Sequence, residues 1–227
     1  MNTLERHPMI LIVIGIMGIS LSSIFVKYAQ SPSVVTAAYR LLWTIILMTP
    51  AVICSKKYRR ELLETSPKLV LLCILSGIFL ALHFTLWFES LNHTSVASST
   101  TIVCTEVIWV ALGWRLFLKG RLSGKACGAI AVTLAGSMLI AFSDSSGQGN
   151  HLYGDFLALL AAIAVAVYTL IGRIARATAS TTVYTYLVYG ACAVTLVIMT
   201  LAQGLSLTGY GSSGIVVGFL LAVFSTI

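Results

Sequence analysis

Apolar residues run along this chain in blocks of about twenty, separated by short polar or basic links. A membrane-spanning helix needs about 20 such residues. The blocks predict spans at 9–28, 34–54, 69–91, 95–117, 124–142, 154–172 and 180–203. An eighth block begins near Gly214 and reaches Ile227. From Ile215 onward it rises about 20 Å, short of a hydrocarbon core of about 30 Å. The sequence is therefore expected to be part of a longer chain. The first block, after Pro8, is long for a signal-peptide core and has no small-residue cleavage site behind a short run, so it reads as a retained helix.

Composition agrees with this pattern. Hydrophobic residues make up 58% of the chain and charged residues 9%, against about 25% charged in a soluble domain. The net charge of +7 reflects its placement along the chain and gives no reason to expect nucleic acid. Arg6 precedes the first span. Lys56, Lys57, Arg59, Arg60 and Lys68 lie between the second and third. Arg115, Lys119, Arg121 and Lys125 lie between or at the ends of the fourth and fifth, and Arg173 and Arg176 between the sixth and seventh. Only Lys27 and Arg40 of the 14 Lys and Arg fall elsewhere. The opposite links, 143–153 and 204–213, hold none. By the positive-inside rule the N-terminus and the basic loops are cytoplasmic. A multi-pass protein of a bacterial plasma (inner) membrane is expected.

The Ser/Gly-rich link at 143–153 separates two similar stretches. IFVKYAQSPSVVTAAYR ends the first span and enters the second; LIGRIARATASTTVYTYLVYG does the same for the sixth and seventh. A repeat of five spans is odd-numbered, so its second copy enters the membrane inverted. That is a common plan of secondary transporters, which bind substrate near the midplane between the halves. The expected units are 1–143, with five spans, and 154–227, with two spans and part of a third.

Four stretches resemble EamA-type transporters of the drug/metabolite transporter superfamily: ISLSSIFVKYAQSPSVVTAAYRLLW (19–43), FLALHFTLWFESLNHTSVASSTTIV (79–103), RLSGKACGAIAVTLAGSMLI (121–140) and GDFLALLAAIAVAVYTLIGR (154–173). The resemblance implies an all-α polytopic bundle of ten helices in two inverted five-helix repeats around a central cavity. It also implies movement, usually export, of small metabolites. Where relatives often carry a Gln-Pro step in the fourth span, this chain has Glu106-Val107. Proline kinks a helix, so without it the fourth span is expected to be straighter. Relatives' Glu-Arg-Leu-Ser pattern reads Gly120-Arg121-Leu122-Ser123, and Val165 stands where a tryptophan is often found.

Glu106 lies inside TTIVCTEVIWVAL (100–112), and a carboxylate in hydrocarbon costs roughly 3 kcal/mol on insertion scales. At about 100° per residue, Ser98, Ser99, Thr101, Thr105, Glu106, Trp109 and Gly113 share an arc of roughly 160°. That face suits a polar cavity or a close helix contact. Glu106 reads either as a cavity carboxylate that binds a cationic or amino substrate or exchanges a proton, or as a hydrogen-bonded lock between helices. Ser99, Thr105 and Trp109 join it as translocation candidates. His83 and Trp87 share a face of the third span with Ser90; each is a cavity candidate or a packing residue. Glu89 and His93 are expected in headgroup or solvent contact. Arg40 either snorkels to the outer interface or forms an ion pair, or else it binds an anionic substrate group. Tyr184, Tyr186 and Tyr189 read as an interfacial belt, with Tyr186 and Tyr189 sharing a cavity face as the alternative. Gly15, Gly18 and Ser22, and Ala158, Ala161, Ala162 and Ala166, suit close helix packing.

The chain lacks an ATP-binding P-loop motif, and it lacks H-E-x-x-H and G-x-S-x-G. Its four histidines do not cluster, and its five cysteines form no C-x-x-C. A pump, a membrane enzyme, a metal site and a cofactor are therefore not expected. The leading reading is a secondary exporter of amino-acid-like or other small organic solutes by alternating access. The alternative is a truncated, non-transporting structural or assembly protein. Expected partners are the lipid bilayer and a small-molecule substrate; protons and a second copy of the chain are further candidates.

Overall fold

A computed structural model describes residues 17–18, 21–120, 122–144 and 151–225. Arg6, the first span over 9–16 with Gly15, Arg121, and link residues 145–150 lie outside them. Every predicted span with described residues is a helix, and among those residues there is no strand. Helix α1 covers 21–27. It is followed by α2 (Ser33–Cys54), α3 (Lys56–Leu63), α4 (Pro67–His93), α5 (Val96–Val103), α6 (Glu106–Phe117), α7 (Gly124–Asp144), α8 (Leu152–Ala175), α9 (Thr181–Ala202) and α10 (Gly211–Ser225). Five stretches are long and apolar enough to cross a bilayer: α2, α4, α5 with α6, α8 and α9. Backbone groups in lipid must be satisfied internally, which a helix does along its whole length.

Serines set several helix starts. Ser55, Ser66, Ser95 and Ser180 accept from the backbone N–H groups of Tyr58, Leu69, Ser98 and Val183 at 3.5, 3.3, 3.0 and 3.4 Å. Each occupies one of the donors a helix start leaves unpaired. Pro67 adds a first-turn proline to α4, where the missing N–H costs nothing. Helix α3 was not among the predicted elements. It is short and charged, KKYRRELL, and no residue in it is buried, so a hydropathy pattern reads it as a loop.

Helix α4 is the centre of the bundle and packs on α8, α9 and α2; α2 also packs on α9 and α10. Lipid tails are as apolar as leucine, so membrane helices associate through close packing and hydrogen bonds. Small residues permit that approach. Ala158, Ala161 and Ala162 of α8 are fully buried, as the sequence led us to expect. A Cβ on Gly77 of α4 would lie 2.6 Å from Ala191 Cβ and 2.8 Å from the Val188 carbonyl oxygen, so α4 and α9 nearly touch there. Gly214 and Gly218 of α10 form a G-x-x-x-G pair against Ser31, Tyr39 and Arg40, a contact absent from the sequence reading. Helix α7 packs against α5 and otherwise presents mostly exposed side chains.

The two ends of the bundle differ in charge. One carries Lys56, Lys57, Arg59, Arg60, Lys68, Arg115, Lys119, Lys125, Arg173 and Arg176 at the link-facing ends of α2 to α4 and α6 to α9. The other carries Glu89, His93, His151 and Asp155.

The fourth span departs from expectation. Its hydrogen-bond ladder is interrupted at Cys104–Thr105, between α5 and α6, although both residues keep right-handed helical dihedrals. Proline is not needed to break it. The Thr105 hydroxyl donates to the Ile102 carbonyl at 2.6 Å, and the Thr105 N–H donates to the same oxygen at 3.0 Å. Ile108 N–H then donates to Thr105 O at 2.9 Å. These three-residue bonds tighten the turn, as a Thr side chain competing for backbone carbonyls does.

Candidate functional site

Arg40 sits about 10 Å along α2 from Ser33, at 1.5 Å per residue. It does not snorkel to the surface. Only 5% of it is exposed, and its guanidinium carbon lies 4.3 Å from the centre of the Phe84 ring on α4. The cation is held over the π face of Phe84. Tyr189 and Cys192 of α9 are near enough to interact with it electrostatically.

His83 and Trp87 flank Phe84 on α4, with 6% and 5% exposure. The His83 Nδ1 is 2.9 Å from the Ala161 carbonyl of α8. A carbonyl only accepts, so Nδ1 carries a proton and donates it to Ala161. The His83 and Trp87 rings stack with centroids 5.8 Å apart. Trp87 Nε1 is buried and has no hydrogen-bond partner among the described residues. Two turns nearer the basic end, Ser76 and Tyr184 share a hydrogen bond of 2.8 Å between α4 and α9. The structure thus brings Arg40, His83 and Trp87 into one group. It adds Phe84, which the sequence reading did not single out, and of the paired alternative Tyr186 and Tyr189 it brings only Tyr189 to the group. Their signal was present in the aromatic run of the third span and in the tyrosine spacing of the seventh.

The remaining candidates lie apart. Glu106 is half-buried, and its carboxylate has no hydrogen bond or ion pair among the described residues. The break makes it the first residue of α6, near the middle of the span, where backbone N–H groups lack intrahelical acceptors. The Thr105 hydroxyl is occupied by Ile102. Trp109 is half-buried, with an indole nitrogen that is buried and unpartnered among the described residues. Ser99 is fully buried and bonds Ser90 at 2.6 Å, which fastens α5 to α4. Tyr186 bonds Thr49 of α2 at 3.1 Å, toward the basic end and away from Arg40. The tyrosines of α9 therefore divide: Tyr184 bonds Ser76 of α4, Tyr189 lies near the buried arginine, and Tyr186 bonds Thr49 of α2.

Two carboxylates fasten the end opposite the basic loops. Glu89 accepts from Ser33 at 2.7 Å and contacts His93 at 3.1 Å. Asn92 donates to the Ser33 oxygen at 3.1 Å. Asp155 of α8 accepts from Thr94 at 2.8 Å and Ser98 at 2.9 Å. Together these contacts tie α2, α4, α5 and α8. Glu89 and His93 are part-exposed at this helix end, as expected, but they are also joined to each other.

The profile of the EamA-like transporter family matches residues 7–142, more than half of the chain. The chain belongs to the EamA-like transporter family. No curated protein matches it. This EamA-like chain is an integral, multi-pass membrane protein whose partners are the bilayer and a small-molecule solute. The matched region covers α2 to α6 and most of α7. It includes Arg40, His83, Trp87 and the Glu106 break, while the α8 and α9 side chains that complete the buried group lie beyond it.

Proposed function

We propose that this protein is a secondary transporter that exports small metabolites, amino-acid-like or other small organic solutes, by alternating access. The observation that carries this reading is the broken fourth span. Discontinuous helices near the midplane are where secondary transporters place ions and substrates, and here the break presents Glu106 at the start of a half-helix. The family match supports transport as the class of activity.

Units 1–143 and 154–227 act as inverted repeats in this reading, with the N-terminus and the basic loops in the cytoplasm of a bacterial cell. The packing is consistent with such a pair. A two-fold axis relating the repeats exchanges the third span with the eighth and the second with the seventh. It would therefore map the α4–α9 contact onto α2–α10 and the α2–α9 contact onto itself, and all three contacts exist. The Glu89 and Asp155 networks then seal the outer side, so the described conformation fits a state closed to the outside. Arg40, His83, Trp87, Phe84 and Tyr189 form the solute-facing group, and Glu106 exchanges a proton or meets an amino group.

Reconstitution into liposomes tests the reading. Efflux of candidate solutes should require the protein, and Glu106→Gln should fold yet change the rate or its pH dependence. Unchanged transport by that variant across roughly pH 5–8, the range a membrane carboxylate would have to govern, would remove Glu106 from the mechanism.

A further inference from the structure

Helices α6, α7 and α8 line a cleft of about 470 Å³ that reaches the basic end of the bundle at Trp114, Arg173 and Arg176. This is in the range of ligand pockets, about 300–1,000 Å³. Val107, Val110, Ala111, Ile130 and Leu170 make its deep wall mostly apolar; Thr133 and Thr169 also line it, and the Thr133 hydroxyl is spent on the Ala129 carbonyl at 3.0 Å. Trp114, Arg173 and Arg176 stand at the end nearest the basic links. From Val107 to Trp114 the wall runs about 10 Å along α6. That is roughly two-thirds of one leaflet's hydrocarbon, taken as half of about 30 Å.

Charge is one-sided at the mouth. The Arg173 guanidinium carbon lies 3.7 Å over the Trp114 ring, and Arg176 lies 5.8 Å from the Tyr184 ring and donates to the Gly172 carbonyl at 3.3 Å. Both arginines are exposed, and among the described residues neither is paired with a carboxylate. No residue lining the cleft is acidic. A guanidinium held over an aromatic face keeps its in-plane N–H groups free for a phosphate. A cleft that is cationic at headgroup depth and apolar toward the midplane matches an amphiphile lying along the membrane normal. It does not match a small anion, which would use only the mouth.

We propose that this cleft binds an anionic phospholipid, with its phosphate on Arg173 and Arg176 and one acyl chain along the α6 wall. The lipid bridges α7, which otherwise packs on α5, to α8. The proposal rests on the membrane-spanning fold and the cleft, not on the transport reading, so failure of one leaves the other standing.

The test uses the full chain in a neutral detergent. Phosphatidylglycerol, phosphatidylcholine with the same acyl chains, and inorganic phosphate are titrated in separate arms. Native mass spectrometry reads retained lipid, and thermal unfolding reads stabilisation. Phosphatidylglycerol should be retained and should raise the unfolding midpoint; phosphatidylcholine should do neither. Arg173→Gln with Arg176→Gln should weaken phosphatidylglycerol binding roughly 25-fold, at about fivefold per basic residue. Ala111→Phe fills the apolar wall, keeps both arginines and should also weaken it, which covers the case of a double variant that does not fold. Lys56→Gln with Lys57→Gln, on α3 and outside the cleft, should leave it unchanged. Equal retention of the two lipids, equal stabilisation by inorganic phosphate, or an equal loss in the α3 variant would each overturn the proposal.

Discussion

Asp155→Ala removes the acceptor on which two hydroxyls converge. Asp155 Oδ1 lies 2.8 Å from Thr94 Oγ1 and 2.9 Å from Ser98 Oγ. Both donors are buried, at 5% and 8% exposure, while Asp155 is half-exposed. A hydrogen bond to a charged group contributes about 1.5–3 kcal/mol. The half-exposed carboxylate puts each bond at the low end, so the alanine variant should lose about 3 kcal/mol. Asparagine keeps an oxygen acceptor but loses the charge, which roughly halves a bond, so Asp155→Asn should lose about 1.5 kcal/mol. These bonds join α8 to the α4–α5 link, and pairwise coupling isolates them. A double-mutant cycle of Asp155→Ala with Ser98→Ala, read by reversible unfolding in detergent micelles, should give a coupling of about 1–1.5 kcal/mol. A coupling within about 0.3 kcal/mol of zero, the usual scatter for independent sites, would refute the assignment of these bonds to the seal.

Other positions give equally direct tests. Gly77→Ala places a Cβ 2.6 Å from Ala191 Cβ and 2.8 Å from Cys192 N, against an optimum of about 3.5–4.0 Å. A loss of about 1–3 kcal/mol in unfolding is expected, while Gly190→Ala on α9, where a Cβ meets nothing within 4 Å, should be near neutral. Gly218→Leu puts a Cβ 2.5 Å from Tyr39 Cβ and should lower the unfolding midpoint by parting α10 from α2. Thr105→Val keeps the side-chain shape but deletes the hydroxyl bond to Ile102. The distance between spin labels at 97 and 116 should lengthen as the fourth span straightens, and an unchanged distance would assign the break to tertiary packing.

The sequence alone determined where the chain crosses the membrane and which end of the bundle is basic. Spans are legible because unsatisfied backbone groups are excluded from hydrocarbon, so each crossing must be a long apolar helix. The polar face of the fourth span was equally legible, since its period belongs to the helix itself. What the helices meet was not. In a bilayer apolar surface is no guide to partners, and shape decides which faces join. Tertiary structure therefore buried Arg40 against Phe84, where hydropathy favoured the interface, and it assigned Tyr189 rather than Tyr186 to that group. It turned Gly214 and Gly218 into a contact with α2. The break before Glu106 was also hidden, because it depends on which carbonyl the Thr105 hydroxyl reaches, a local competition that residue type permits but only the folded geometry resolves.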